Sequence, residues 1–180
     1  MPRPALLRFA EISLARQARP LLRRLPAFHG QSVRIERARG LRDRRGPVHA
    51  GAFLRERRIA FDCTAREFRR ILVHELFHFV WWKAGNPVRR SFEDLLAEEW
   101  RSGARGELGW SAEWRKRTLR RADVRARTRR WREYCCESFC DTAAWLLAAG
   151  RHPEFTLDGK SRPARRAWFH SFLKSGRLQI

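Results

Sequence analysis

Lysine is nearly missing from this chain. Of 40 basic residues among 180, four are Lys (Lys83, Lys116, Lys160 and Lys174), leaving 36 Arg. Acidic residues are also scarce: 19 carboxylates leave a formal charge of +21. Such an excess points to nucleic acid or another acidic partner. A compositional habit that writes Arg for every surface cation is the plainer alternative, because electrostatics alone does not reject Lys. Long apolar runs are absent too. The longest, residues 71–82, is interrupted by His74, Glu75 and His78, so no membrane span is expected. The first 28 residues carry one acidic group, Glu11, and neither an unbroken apolar core nor a small-residue cleavage site, which argues against a secretory signal. Cysteine is limited to Cys63 and the trio Cys135, Cys136 and Cys140. Three thiols on one helix make poor disulfide geometry, and a reduced, cytoplasmic protein is expected. No internal repeat or low-complexity segment is visible.

What the chain does have is bulk. Eight Trp, twelve Phe and a 43% hydrophobic content suffice for one buried core, while a mean hydropathy of −0.60 requires a strongly polar exterior. A single domain over 1–180 is expected, with residues 1–29 as a helical N-terminal extension and 101–130 as an Arg-rich insertion.

The pattern predicts an α+β fold. Leu6, Leu7, Ala10, Leu14 and Ala18 recur at helical spacing over 5–18, with breaks at Pro20 and Pro26. Residues 32–37 alternate as a strand, Gly40 to Pro47 read as a loop, and 48–54 and 58–61 read as two strands joined by a turn at 55–57. Thr64 and Glu67 have capping-box form, so a helix should start at Ala65 and stop at Gly85-Asn86-Pro87. Further helices are expected over 91–100, 131–149 and 163–174. Gly103, Gly106 and Gly109 mark a flexible stretch, and 114–132 reads as a solvated helix or a basic arm.

The central helix contains His74-Glu75-Leu76-Phe77-His78. Two His four apart stack on one helical face and can grip one cation, with Glu75 beside them to handle a metal-bound water. A shuffled chain of this composition would contain the motif roughly 0.014 times, so chance is a poor account of it. A third ligand must come from elsewhere. The Met-turn class needs glycine and histidine where Trp81 and Ala84 stand, and the inverted HxxEH form is absent. Glu137, in the apolar segment 134–141, is the remaining candidate, since a carboxylate there needs a partner. A salt bridge to Arg is the competing explanation, and Glu133 is the competing carboxylate. Asp141, one turn beyond, can accept a ring N–H from His74 or His78. Cys136 and Cys140 form a second pair at ligand spacing, although small buried apolar residues are the simpler explanation of them. Tyr134 and His170 are weak candidates for oxyanion donors.

With HExxH followed by a helix bearing Glu137 and Asp141, the chain resembles the gluzincin metallopeptidases, in particular compact one-domain members of the ImmA/IrrE type. The resemblance spans roughly 48–149. It implies a zincin-like fold, with a small β-sheet packed on the HExxH helix and a helical C-terminal half. It also implies Zn2+ held by His74, His78 and Glu137, Glu75 as catalytic general base, Asp141 as orienting group, and a protein or peptide substrate. The alternatives are a basic nucleic-acid-associated protein and an inactive zinc-binding scaffold.

Overall fold

A computed structural model describes residues 6–43, 46–148, 150–176 and 178–180. The fold is α+β, as the pattern predicts. A four-stranded sheet is ordered β1 (Leu7–Phe9), β3 (Val33–Arg37), β7 (Arg58–Phe61), β6 (Ala50–Phe53). The first three run parallel and β6 returns antiparallel on the outside, with Ala52 opposite Ile59. Val33, Ile35 and Ile59 are fully buried and Phe61 nearly so, while the intervening Arg34 faces water, as the two-residue period requires. The β6–β7 turn places Arg57 at a positive φ of 55°.

The N-terminal segment departs from the predicted helix. Leu7–Phe9 instead pairs with Val33–Ile35 as a parallel strand, and helix α1 (Ile12–Leu22) follows. Pro20 lies inside α1 rather than ending it. Burial of Leu14, Ala18 and Leu21 along one stripe holds that last turn despite the missing N–H. Two further pairings went unseen in the sequence because each strand has only two residues. These are β4 (Arg42–Asp43) with β5 (Gly46–Pro47), and β2 (Phe28–His29) with β8 (Leu178–Gln179).

Helix α2 (Ala65–Lys83) starts where expected, yet Thr64 makes no side-chain cap. Glu67 turns instead to Arg70 (2.8 Å) and His152 (3.2 Å), a charge-assisted alternative to the capping box. Phe68, Leu72, Leu76, Phe77 and Phe79 bury α2 between the sheet, α1 and helix α6 (Arg129–Leu147). The predicted end of α6, Ala149, lies outside the described residues. Helix α3 (Asn86–Arg101) begins at the very Asn-Pro that stops α2, with Pro87 in its first turn, where a missing N–H costs nothing. Of the two readings of 114–132, the helical one describes the segment better than a basic arm. The chain here forms helices α4 (Trp110–Thr118) and α5 (Arg121–Ala126), both packed on α6.

The glycine-rich stretch before α4 is pinned rather than flexible. Leu108 and Glu107 are completely buried. Glu107 meets Arg165 of helix α7 (Arg162–Lys174) at 2.9 Å, Lys116 of α4 at 3.2 Å and the Tyr134 hydroxyl at 2.5 Å. Arg165, itself fully buried, also binds Glu99 of α3 at 2.6 Å and the Ser138 hydroxyl at 2.6 Å. Two cations and two carboxylates thus balance inside the helical half and join α3, α4, α6 and α7. No helix among the described residues is long and apolar enough to cross a membrane.

Candidate metal centre

Helices α2 and α6 bring the predicted residues together. His74 and His78 project from one face of α2, their Nε2 atoms 3.2 Å apart. Glu137 arrives from α6, with Oε2 3.3 Å from His74 Nε2 and 3.9 Å from His78 Nε2. The three donors form a potential metal-binding group. Glu133, the competing carboxylate, is turned to Arg129 at 2.7 Å on the exposed side of α6.

The surrounding hydrogen bonds determine which ring nitrogens carry protons. His74 Nδ1 donates to Asp141 Oδ1 at 2.8 Å, which leaves a lone pair on Nε2. His78 Nδ1 lies 3.5 Å from Cys136 Sγ. With the N–H on that nitrogen, His78 Nε2 also presents a lone pair. Two lone pairs and a carboxylate oxygen therefore converge, an arrangement that calls for positive charge at its centre.

The ionisation preferences show the same demand for positive charge, met here by protons on the imidazoles. Burial disfavours a charged His74, but the Asp141 carboxylate and then Glu137 override it and push its pKa well up. Burial likewise opposes charge on His78, yet contact with Cys136 and the charge of Glu137 raise it to about 9. Glu137 is held far below the usual carboxylate range despite burial, through His74, His78 and Arg115. Burial raises Glu75, with the two imidazoles opposing. Cys136 is lowered by the neighbouring Cys140 and by His78, against its own desolvation.

Glu75 is 8% exposed at the side of the cluster. Helix α2 packs on the outer strand β6, and the Ala52 backbone there opposes the upward shift of Glu75, so that strand adjoins the centre. The geometry of Glu137 accommodates both the salt bridge and a ligand role. Oε1 binds Arg115 Nη2 at 3.1 Å, and Oε2 faces the imidazoles.

Three contributors were not legible in the sequence. Arg115 is one Arg among many, and Ala112 acts only through its backbone N–H, which donates to Asp141 Oδ2 at 3.3 Å. Gly109 precedes α4 with ordinary extended backbone, but a Cβ there would stand 2.2 Å from the Asp141 carboxyl carbon. Its lack of a side chain is what allows Asp141 to approach the start of α4.

The two proposed oxyanion donors lie elsewhere. Tyr134 is 1% exposed and its hydroxyl donates to Glu107, which commits it to the buried ionic network. His170 is solvent-exposed on α7, outside the group of His74, His78 and Glu137.

The donor set fits a cation such as zinc: two imidazoles, once deprotonated, and one carboxylate would leave a fourth tetrahedral position open. Comparison of the chain with family models, curated proteins and solved structures gives no match.

Proposed function

We propose that the protein is a zinc-dependent peptidase of zincin-like architecture. The observation that carries this reading is the convergence of His74 Nε2, His78 Nε2 and Glu137 Oε2 within 3.2–3.9 Å of one another, with Glu75 alongside. Zinc held by His74, His78 and Glu137 would supply Lewis acidity and make a water acidic enough to react near neutral pH.

The chain's own residues have separable tasks. Asp141 fixes the tautomer of His74, and Arg115 occupies one oxygen of Glu137 so that the other stays with the imidazoles. Glu75 accepts a proton from the attacking water and returns it to the departing amine. Its burial raises its basicity toward what such an exchange needs. Strand β6, terminal in its sheet and close to Glu75 at Ala52, offers an outer backbone edge to which an extended peptide can pair.

The test is zinc content together with peptide cleavage in wild type, His78→Ala and Glu75→Gln. Zinc is expected to be lost from His78→Ala. Glu75→Gln is expected to retain zinc while cleavage falls by about 10²-fold or more. Equal zinc in wild type and His78→Ala would remove the metal site. Zinc without any Glu75-dependent cleavage would make the protein a metal-binding scaffold.

A second reading, association with nucleic acid, draws on α4. Trp110 and Trp114 are 60% and 37% exposed there, beside the exposed Arg117. Flat aromatic faces next to guanidinium groups suit the stacking of unpaired bases. The two readings are compatible.

A further inference from the structure

The proposed catalytic centre uses only Nε2 of His78. Its other nitrogen faces sulfur: Nδ1 lies 3.5 Å from Cys136 Sγ. Cys140 lies one turn further along α6, its sulfur within 4.8 Å of Cys136 Sγ. Donor atoms of His78, Cys136 and Cys140 all lie within 4.8 Å of one another. The i, i+4 spacing puts both sulfurs on one helical face, as it does the two imidazoles on α2. Cys140 is fully buried, whereas Cys136 is partly open to solvent and gives an entry route. Neither thiol has a part in the proposed hydrolysis. Small apolar filling does not account for a sulfur aimed at a ring nitrogen.

We propose that His78 Nδ1, Cys136 Sγ and Cys140 Sγ form a second metal site for a thiophilic cation, and that this site competes with the first for the imidazole of His78. Two sulfurs and one imidazole are a soft donor set, suited to Cd2+ or Cu+ rather than to Mg2+ or Ca2+. Binding forms two metal–sulfur bonds and one metal–nitrogen bond, releases the thiol protons to solvent and moves no electrons. The competition follows from the ring. A neutral imidazole has one lone pair and one N–H. When Nδ1 ligates the soft cation, the proton sits on Nε2 and points at the place where His74 and Glu137 converge. The sulfur site stands independently of the peptidase reading; only the competition rests on it.

The experiment titrates Cd2+ into the reduced full chain and follows the ultraviolet absorption of cadmium–thiolate bonds. The samples are wild type, His74→Ala, His78→Ala and the paired Cys136→Ser, Cys140→Ser variant. A paired alanine version repeats the last arm with apolar replacements. The band is expected in wild type and His74→Ala and is expected to vanish in both paired variants. In His78→Ala, half-saturation should need about tenfold more Cd2+, the loss of one ligand of three. Preloading wild type with Zn2+ should raise the half-saturating concentration about tenfold, a usual size for coupling between sites.

A band of undiminished size in the paired variants would assign it to Cys63 or Cys135 and overturn the site. An unchanged midpoint in His78→Ala would remove the imidazole from it, and an unchanged midpoint after zinc loading would remove the competition. Absence of zinc from the paired variants, together with an intact cadmium band in wild type, would sink the peptidase reading and leave the sulfur site standing.

Discussion

Asp141 has both its oxygens occupied: one receives the ring N–H of His74 and the other the backbone N–H of Ala112. A partner that aims a metal-binding imidazole in this way typically matters by 10- to 100-fold in metal affinity. Gly109→Ala is therefore expected to weaken zinc binding by about that factor, although residue 109 contributes no side chain to the centre. Competition with a chromophoric chelator measures it. Gly159→Ala is the matched control, since a Cβ at that position meets nothing within 4 Å. Equal affinities for the two variants would show that Asp141 tolerates displacement. Arg115→Met should weaken zinc in the same range, because Glu137 would lose the cation that occupies its Oε1.

At the scale of elements, the helical half is joined through the buried ions around Glu107 and Arg165. Removing one member leaves an opposite charge buried without its partner, and Arg165→Met is expected to cost about 3–5 kcal/mol in urea denaturation. Glu107 titrates below the ordinary carboxylate range. Burial alone would raise it, but Arg165, Lys116 and the Tyr134 hydroxyl together win. A carboxylate depressed in the folded state contributes stability above its unfolded pKa and loses it as pH falls through the folded value. Stability should therefore decline on acidification below about pH 4.5, and the decline should be shallower in Glu107→Gln. Identical pH slopes would locate the acid sensitivity elsewhere.

The same scale shows what the sequence could disclose. The start of α2, its end at Lys83, the β6–β7 hairpin and the approach of Glu137 were all legible, because periodicity, stop signals and a carboxylate set among apolar neighbours are local properties. The strand Leu7–Phe9 was not legible. Three residues fit a helix as readily as a strand, and only pairing with Val33–Ile35 decides between them. The burial of Glu107 was hidden for a similar reason. Glycines on either side suggested mobility, whereas Gly106 in fact sits against the backbone of Thr156, where a Cβ would meet the carbonyl oxygen at 2.2 Å. Arg115 could not be singled out among 36 Arg by any feature of its neighbours.

For the molecule as a whole, charge is the dominant property. Many of the arginines have acidic partners, such as Arg127 with Glu93 and Arg129 with Glu133, but the formal charge of +21 leaves a large unbalanced remainder. Single-stranded DNA is accordingly expected to bind more weakly as salt rises from 50 to 200 mM, by about 300-fold if six phosphates are engaged. The affinity should be the same for Glu75→Gln, which leaves the surface intact. A salt-independent affinity, or none at low salt, would reduce the arginine excess to composition.

Helix α4 spans nine residues, Trp110–Thr118, and supplies both Arg115 and the Ala112 amide, with Gly109 at its threshold. Detachment of this short segment from α6 would undo two supports of the ion cage simultaneously. With zinc held as proposed, fraying there and escape of the ion would be coupled. Amide deuterium uptake across 110–118 should consequently accelerate when the protein is stripped with a chelator and slow again on zinc addition, while uptake along α1 stays constant.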